Sequence, residues 1–336
     1  MKYTSHKAMA LKFYELAQVG NSSLHKAKEH FVSGDWNNIL DFPSAPVYNQ
    51  VMVYEDFSSA LYWADKIGVS NVSYYHADAD FTKEVSKNGI TTYMDLNSVP
   101  KNIPQVGNPA FSIAEDVIDK LPSDQEICMV MPAWVAIAPN WKAQSWAPRQ
   151  KIKKHLENIG LKEVLWIPNG SFDQFDGVKK DTAQVDSVLV ITEPGYAGDV
   201  TVTNLLDGSS YQCTRGSVYP RKASTLSQIE PFEQGNQLKF REDQKKDNIA
   251  KKWTIGVNIY NPFAKGKGAN GCHLKGLQIF APGDTIKKNT CFQEFEAEIE
   301  ARTILAHLTS DVVAQAYQDL TTQKSFSSVM LRMLKV

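Results

Sequence analysis

The chain has 336 residues, a net charge of −1, 43% hydrophobic residues and 22% charged residues. This balance is typical of a globular protein with a sizeable core, and it leaves no overall positive field to attract nucleic acid. The four cysteines (Cys128, Cys213, Cys272, Cys291) lie far apart and have no metal-ligand spacing. The sequence therefore predicts neither a metal site nor a disulfide framework.

The N-terminal residues lack the continuous apolar core of a signal peptide, because lysines interrupt them at positions 2, 7 and 12. No segment reaches about 18 uninterrupted apolar residues, which is the length that a membrane-spanning helix requires. We therefore expect no contact with a membrane and a cytoplasmic location.

Helices and strands alternate along the first half of the chain. A leading helix is predicted at 6–18, followed by a strand at 51–54, a helix at 58–67, a strand at 72–75, a helix at 82–88 and a strand at 90–94. The pattern continues with a short strand at 106–107, a helix at 112–121, an apolar strand at 127–131, a helix at 147–159, and strands at 164–167 and 186–192 that can form a hairpin. This alternation predicts an α/β fold with a mostly parallel sheet.

The composition changes after residue 192, where short polar segments, turn residues and charges replace the alternation. We place a linker at 193–212 and predict two domains, at 1–200 and 201–336. Two amphipathic helices, at 293–308 and 310–320, close the second domain, which is predicted to be a smaller α+β domain.

The segment Asn108-Pro109-Ala110-Phe111 follows the predicted fourth strand. Ligands of open α/β sheets bind at the carboxyl ends of the strands, so the segment lies where a site is expected. The Asn108 side chain and the Pro109 carbonyl can both accept hydrogen bonds from an amine, while Phe111 can stack on the ring that carries it. Asn-Pro also initiates ordinary turns, and the motif alone leaves both interpretations open.

The motif and its surroundings resemble the N6-adenine-specific DNA methyltransferase family, whose motif is (Asp/Asn/Ser)-Pro-Pro-(Tyr/Phe). Asn108, Pro109 and Phe111 match, and Ala110 replaces the second proline. The segment around Thr4, the late strand and loop at 165–172, and the hairpin strand at 185–192 are also similar to that family. The resemblance implies a Rossmann-like methyltransferase domain with an edge hairpin. It also implies S-adenosylmethionine as cofactor, and an adenine flipped out of duplex DNA onto Asn108, Pro109 and Phe111.

The resemblance also indicates where the cofactor would lie. Asp95 follows the third strand, where the family has an aspartate that contacts the cofactor adenine. His76 and Asp78 follow the second strand, where the family has an acidic residue for the ribose. Thr4 and Glu55 complete the candidate set. The family's glycine-rich loop after strand one is absent, because residues 54–60 contain no glycine, and Asp78 is also a good helix cap.

The C-terminal half more loosely resembles a target-recognition domain in the Eco57I/TaqI-like order, in which the catalytic half precedes the DNA-reading half. This order implies a restriction-modification protein, bacterial or phage-encoded, that acts in the host cytoplasm. Basic residues in predicted loops are the candidate DNA contacts: Arg215, Arg221, Lys222, Lys265, Lys267 and Lys275.

The sequence leaves three functions open. The first is methylation of the exocyclic amine of adenine in double-stranded DNA. The second is a DNA-binding protein, or a silent subunit that needs a second protein subunit, which is derived from a methyltransferase but no longer methylates. The third is methylation of another planar amine or amide, such as a protein glutamine.

Overall fold

The computed structural model describes residues 48–54, 57–109, 113–138, 147–166, 187–204, 207–229, 238, 240, 246–258, 273–320 and 328–335. Several predictions fall outside these residues: the leading helix at 6–18 and the site candidates Thr4, Glu55, Phe111, Lys265 and Lys267. Within the described residues the chain forms two compact units, which divide between Ser217 and Val218.

The first unit is built on one nine-stranded sheet. Its strands are β1 (Val51–Tyr54), β2 (Val72–Tyr75), β3 (Thr91–Tyr93), β4 (Gln105–Gly107), β5 (Ile127–Pro132), β6 (Leu161–Trp166), β7 (Ser187–Thr192), β8 (Val200–Asn204) and β9 (Ser210–Cys213). The spatial order is β3-β2-β1-β4-β5-β7-β6-β8-β9. Strands β1 to β6 and β8 run in one direction, and β7 and β9 run against their neighbours.

This arrangement confirms the predicted Rossmann-like α/β class with a mostly parallel sheet. The predicted hairpin is also present, because β7 pairs antiparallel with β6. β7 also pairs with β5, and β6 also pairs with β8, so the hairpin lies inside the sheet and not at its edge, where the resemblance had placed it.

Five helices of the first unit are described: α1 (Phe57–Ile67), α2 (Ala79–Ser86), α3 (Ala114–Asp119), α4 (Trp134–Ile137) and α5 (Ala147–Asn158). α1 buries Ala60, Trp63 and Ala64, which share one face of a helix because they are three and four residues apart. It ends at Gly68, whose φ of 88° permits the chain to turn into β2 and whose amide bonds the Ala64 carbonyl.

The centre of the sheet forms the core of this unit. Every residue of β1, β5 and β7 is buried. β5 has the sequence Ile-Cys-Met-Val-Met-Pro without alternation, as expected for a strand that is covered on both faces.

The second unit is a smaller α+β structure, as predicted. It contains a two-stranded sheet and a three-stranded sheet in the order β12-β11-β14, both antiparallel. The strands are β10 (Asn248–Ile249), β11 (Trp253–Asn258), β12 (Gln278–Phe280), β13 (Thr285–Ile286) and β14 (Thr290–Phe295). The helices are α6 (Ala223–Leu226), α7 (Glu298–Leu308), α8 (Asp311–Leu320) and α9 (Ser328–Leu331).

Two segments differ from the sequence-based expectation. The predicted linker at 193–212 contains β8 and β9, which extend the main sheet beyond β6, so the first unit reaches Ser217. The predicted helix at 293–308 begins only at Glu298, because residues 290–295 pair with β11 as strand β14. In both cases the partner strand is distant in the sequence, so the local residue pattern does not indicate the pairing.

Candidate functional site

The candidate site lies where the strand order of the sheet reverses. β1 is flanked by β2 on one side and β4 on the other, and the chain crosses from one half of the sheet to the other between β3 and β4. The carboxyl ends of β1 and β4 therefore border a topological switch point, which is the usual ligand crevice of open α/β sheets. Asn108 follows β4 directly and so lies at this crevice.

The end of β4 approaches the end of β1 very closely. Gly107 is paired with Tyr54 and has a φ of 135°. A Cβ atom at residue 107 would lie 2.6 Å from the Tyr54 carbonyl oxygen and 2.7 Å from its amide nitrogen. Only glycine combines this conformation with this approach, so Gly107 determines how the chain leaves β4.

Asn108 is held by its backbone. Its amide nitrogen donates to the Tyr54 carbonyl oxygen at 3.3 Å, which continues the β1–β4 pairing by one residue. The Asn108 side chain is half-buried, and none of the described residues hydrogen bonds to it. Pro109 is buried, so the turn is anchored in the protein. The arrangement leaves an amide side chain on a fixed backbone at the mouth of the crevice.

A buried polar pair that was not predicted from the sequence joins β1 and β4, the strands on which this turn rests. The Tyr54 hydroxyl donates to Oε1 of Gln105 at 2.6 Å, and both side chains are fully buried. Nε2 of Gln105 donates in turn to the carbonyls of Pro100 and Ile103. Burial raises the pKa of the Tyr54 hydroxyl, with a smaller contribution from Tyr75. The signal in the sequence was a glutamine at the start of a strand that is otherwise apolar.

His76 and Asp78 follow β2, as predicted. His76 is buried, with its ring stacked on Phe81 at 4.2 Å, and its Nδ1 accepts a hydrogen bond from the Asp78 amide at 2.8 Å. Because Nδ1 is an acceptor, the neutral ring carries its proton on Nε2. Asp78 is the N-cap of α2, and its Oδ1 accepts from the Asp80 amide at 2.9 Å. The helix-cap alternative considered for Asp78 is therefore present in the structure.

Asp95 follows β3 at the same edge of the sheet and is exposed. Its Oδ1 accepts from the Asn97 amide at 2.9 Å and from the Asn97 side chain at 3.0 Å. Ser98 donates to the Asp95 carbonyl at 2.8 Å, which closes the turn. These contacts orient one carboxylate oxygen, Oδ1, within its own loop.

Arg215 belongs to the first unit and lies just after β9. Its guanidinium donates to the carbonyls of Glu157 at 2.5 Å, Leu161 at 2.9 Å and Gly198 at 3.1 Å. It also bonds the Tyr196 carbonyl and stacks over the Tyr196 ring at 5.5 Å. These contacts fasten the end of β9 to the end of α5 and to the loop before β8.

The other described basic candidates lie in the second unit. Arg221 and Lys222 are half-buried and adjacent, just before α6. Lys275 is exposed and donates to the Asp311 carboxylate at 2.6 Å and to the Thr309 carbonyl at 2.5 Å. The Lys275 ammonium lowers the pKa of Asp311. Lys275 is therefore already part of an ion pair, which a phosphate would have to replace.

The described part of the chain contains neither a metal cluster nor a membrane-spanning helix. No cluster of three or more histidine, cysteine, aspartate or glutamate side chains there has the arrangement of a metal site. None of the helices seen there is long and apolar enough to cross a membrane. Cys128, Cys213 and Cys291 are buried free thiols.

No protein-family model matches the chain, and no curated protein matches its sequence. Among solved structures, it is similar to a type I restriction-modification system methyltransferase subunit from Streptococcus thermophilus, with 11% identity and a TM-score of 0.34 over 55% of this chain and 49% of that one. It is also similar to a dimethyladenosine transferase from Plasmodium falciparum, with 16% identity and a TM-score of 0.33 over 47% of this chain and 60% of that one.

A third similar structure is a TehB-like SAM-dependent methyltransferase from Corynebacterium glutamicum, with 12% identity and a TM-score of 0.31 over 57% of this chain and 98% of that one. The chain thus spans about half to three fifths of the first two proteins. Because all three TM-scores are low, the assignment to the Rossmann-like α/β class rests on the observed strand order.

Proposed function

We propose that the protein is an S-adenosylmethionine-dependent methyltransferase that methylates the exocyclic amine of adenine in DNA after base flipping. The observation that supports this best is the position of Asn108. It lies at the switch point of the sheet, its backbone is fixed by Tyr54, and no described residue hydrogen bonds to its side chain. An amide oxygen in this position can accept a hydrogen bond from an amine on a planar base.

Asn108 and Pro109 would act by positioning. When the Asn108 side-chain oxygen and the Pro109 carbonyl accept the two amine protons, the nitrogen lone pair is directed out of the plane of the base. Orientation of this kind is a large contribution to catalysis when two reactants are held in one site. Phe111 would stack on the flipped base and lower the cost of extruding it, which is a few kcal/mol.

The described residues fit the adenine end of S-adenosylmethionine best. Asp95 is an exposed carboxylate on a turn fixed by Asn97 and Ser98, so it can accept from the cofactor's adenine amine. When bound, the cofactor would supply an electrophilic methyl group. On the ribose side the chain offers His76 and Asp78, and Thr4 and Glu55 complete the proposed set.

The contacts after β2 favour the alternative, a methyltransferase-like DNA-binding protein or non-catalytic subunit. The His76 ring is buried with Nδ1 occupied, and Asp78 caps α2. A ribose normally requires an acceptor that is free to take its hydroxyl protons. If these side chains keep their present contacts, cofactor affinity is low and the protein binds DNA without methylating it.

For either function we propose that the second unit contacts double-stranded DNA through Arg221 and Lys222, with Lys265, Lys267 and Lys275 as further contacts. Arg221 and Lys222 are adjacent and half-exposed, and cations of this kind suit phosphate oxygens. Arg215 is the least suited of the predicted set, because its guanidinium already donates to protein carbonyls.

Calorimetry with S-adenosylmethionine and S-adenosylhomocysteine separates the two candidates. The enzyme should bind both ligands, and Asp95→Ala should weaken binding of both. Asp65→Ala, at an exposed position of α1, should leave binding unchanged. If neither ligand gives heat at millimolar concentration, although circular dichroism shows that the protein is folded, the proposed enzyme function is rejected. If such a protein still binds duplex DNA, the non-catalytic alternative is supported.

A further inference from the structure

Gln105 is an unusual residue for the middle of a buried sheet. It lies on β4 between β1 and β5, with its side chain fully buried. An amide in such a place is costly unless its donors and acceptor are satisfied. Here the acceptor takes the Tyr54 hydroxyl and the NH₂ group reaches the carbonyls of Pro100 and Ile103.

These partners define the orientation of the amide. Two carbonyl oxygens can only accept, so Nε2 must face Pro100 and Ile103, and Oε1 must face Tyr54. The hydroxyl of Tyr54 is then necessarily the donor. Burial keeps it in that role, because it raises the pKa of Tyr54 and so keeps the hydroxyl protonated. The Tyr54 ring is further held by Tyr75, with ring centroids 5.9 Å apart.

The backbone of Tyr54 carries this constraint to the candidate site. Its carbonyl accepts the Asn108 amide at 3.3 Å. The same carbonyl lies 2.6 Å from where a Cβ of Gly107 would be, so the end of β4 lies close against Tyr54. Gln105 on β4 thus holds Tyr54 on β1, and the Tyr54 carbonyl accepts the hydrogen bond from Asn108 in the turn after β4.

We propose that Gln105 and Tyr54 are a positioning pair for Asn108. Gln105 ties the loop before β4 to Tyr54, and Tyr54 sets the place of the Asn108 backbone, so that the Asn108 amide is held before any ligand arrives. Neither side chain touches the substrate. The consequence for catalysis rests on the function proposed above, whereas the consequence for the Asn108 backbone does not.

The test uses two single variants and one control in the full chain. Tyr54→Phe removes only the hydroxyl, and Gln105→Met replaces the amide with an apolar side chain of similar length. Tyr48→Phe is the matched control, because Tyr48 is also a buried tyrosine of the first unit, packed on Trp63 at 5.5 Å, and precedes the opposite end of β1. Each variant is first shown to be folded by circular dichroism and thermal unfolding.

The first measurement is hydrogen–deuterium exchange followed by mass spectrometry. Tyr54→Phe and Gln105→Met should each raise exchange of the Asn108 amide about tenfold or more. The free energy of opening the Asn108 hydrogen bond depends on a Tyr54 carbonyl that is held in place. Exchange in β5 should stay unchanged, and Tyr48→Phe should leave Asn108 as in the unaltered protein. Unchanged exchange at Asn108 in both variants would overturn the proposal, whether or not the protein is an enzyme.

The second measurement is transfer of a tritiated methyl group to plasmid DNA from a methylation-deficient host. Tyr54→Phe should lower kcat by about 10- to 100-fold, as expected for a misplaced catalytic group, with KM for S-adenosylmethionine changed by less than about threefold. A purely structural role would instead reduce the amount of folded protein at constant kcat. If the unaltered protein neither binds the cofactor nor methylates, the proposed function fails and exchange alone decides this inference. An active protein whose Tyr54→Phe variant keeps full kcat would overturn it.

Discussion

Gly107 and Tyr54 approach each other so closely that a side chain on residue 107 is excluded. A Cβ there would lie 2.6 Å from the Tyr54 carbonyl oxygen, and the φ of Gly107 is 135°. The contact joins the ends of β1 and β4, the two strands that border the candidate site.

Gly107→Ala should destabilise the protein strongly, because it adds a clash with backbone atoms to an unfavourable φ. We expect a loss of more than about 3 kcal/mol in the free energy of unfolding, measured with urea. Gly195→Ala is the control, since Gly195 also has a positive φ, of 79°, but open space around its Cβ position. It should cost about 1 to 2 kcal/mol. Equal losses in both variants would show that the approach to Tyr54 is not restrictive.

Asn108→Ala should abolish methyl transfer and leave cofactor binding intact, because the amide is assigned to the amine of the base. We expect a fall in kcat of about 100-fold or more, measured with tritiated S-adenosylmethionine. Asn108→Asp keeps one carbonyl-type acceptor and should retain more activity than the alanine variant. If Asn108→Ala methylates DNA as well as the unaltered protein, Asn108 is not part of the site.

Arg215→Lys should destabilise the first unit although it keeps the charge. A lysine cannot reproduce the planar fork that reaches the carbonyls of Glu157, Leu161 and Gly198. We expect a loss of about 1 to 3 kcal/mol by urea unfolding, because the part-buried carbonyls of Glu157 and Leu161 lose their donors. Arg302→Lys, at an exposed ion pair with Glu298, should change stability by less than about 0.5 kcal/mol. An unaffected Arg215→Lys variant would instead favour a role for Arg215 outside the fold.

Lys153 and Glu157 form a buried ion pair on α5, with Nζ and Oε1 3.0 Å apart. Lys153→Met leaves the Glu157 carboxylate without its cation and should cost about 3 to 5 kcal/mol, whereas Lys153→Met with Glu157→Leu should recover most of that loss. The measurement is urea unfolding at pH 7. A double variant as unstable as the single one would contradict this account.

The same lysine predicts a pH dependence. Burial lowers the pKa of Lys153 below its ordinary 10.5 in the folded protein. The unfolded chain therefore binds this proton more readily than the folded protein does. Below the folded pKa, the cost of burying the Lys153 ammonium is fully present. As the pH rises from the folded pKa toward 10.5 this cost is lost, so the free energy of unfolding increases. The double variant should lack this alkaline rise relative to the unaltered protein.

The proposed DNA contacts predict a change in salt dependence. Lys222→Ala and Arg221→Ala should each weaken binding to unrelated duplexes alike and reduce the slope of log K against log salt concentration by about 1, measured by fluorescence anisotropy. Lys287→Ala, at an exposed pair with Asp247, serves as the control on the same unit. Unchanged slopes in the first two variants would remove these residues from the interface.

Much of the fold of the first unit could be predicted from the sequence, because short runs of neighbouring residues favour its strands and helices. The runs at 51–54, 72–75 and 127–131 are apolar and bounded by turn residues, so strands are favoured there whatever their neighbours. The end of α1 is also a local feature, since Gly68 ends this helix as predicted. The position of Asn108 at the end of β4 followed from the same alternation of helices and strands.

The tertiary structure alone decided the rest, because the partners are distant in the sequence. β8 joins the sheet through β6, some forty residues earlier. Its Val-Thr alternation is typical of a strand, but it does not indicate which strand is the partner. Arg215 finds its carbonyl partners on Glu157 and Leu161, and Gln105 finds the Tyr54 hydroxyl 51 residues away. A carbonyl or hydroxyl becomes a partner only when the topology brings it within about 3 Å, and a local residue pattern does not encode that distance.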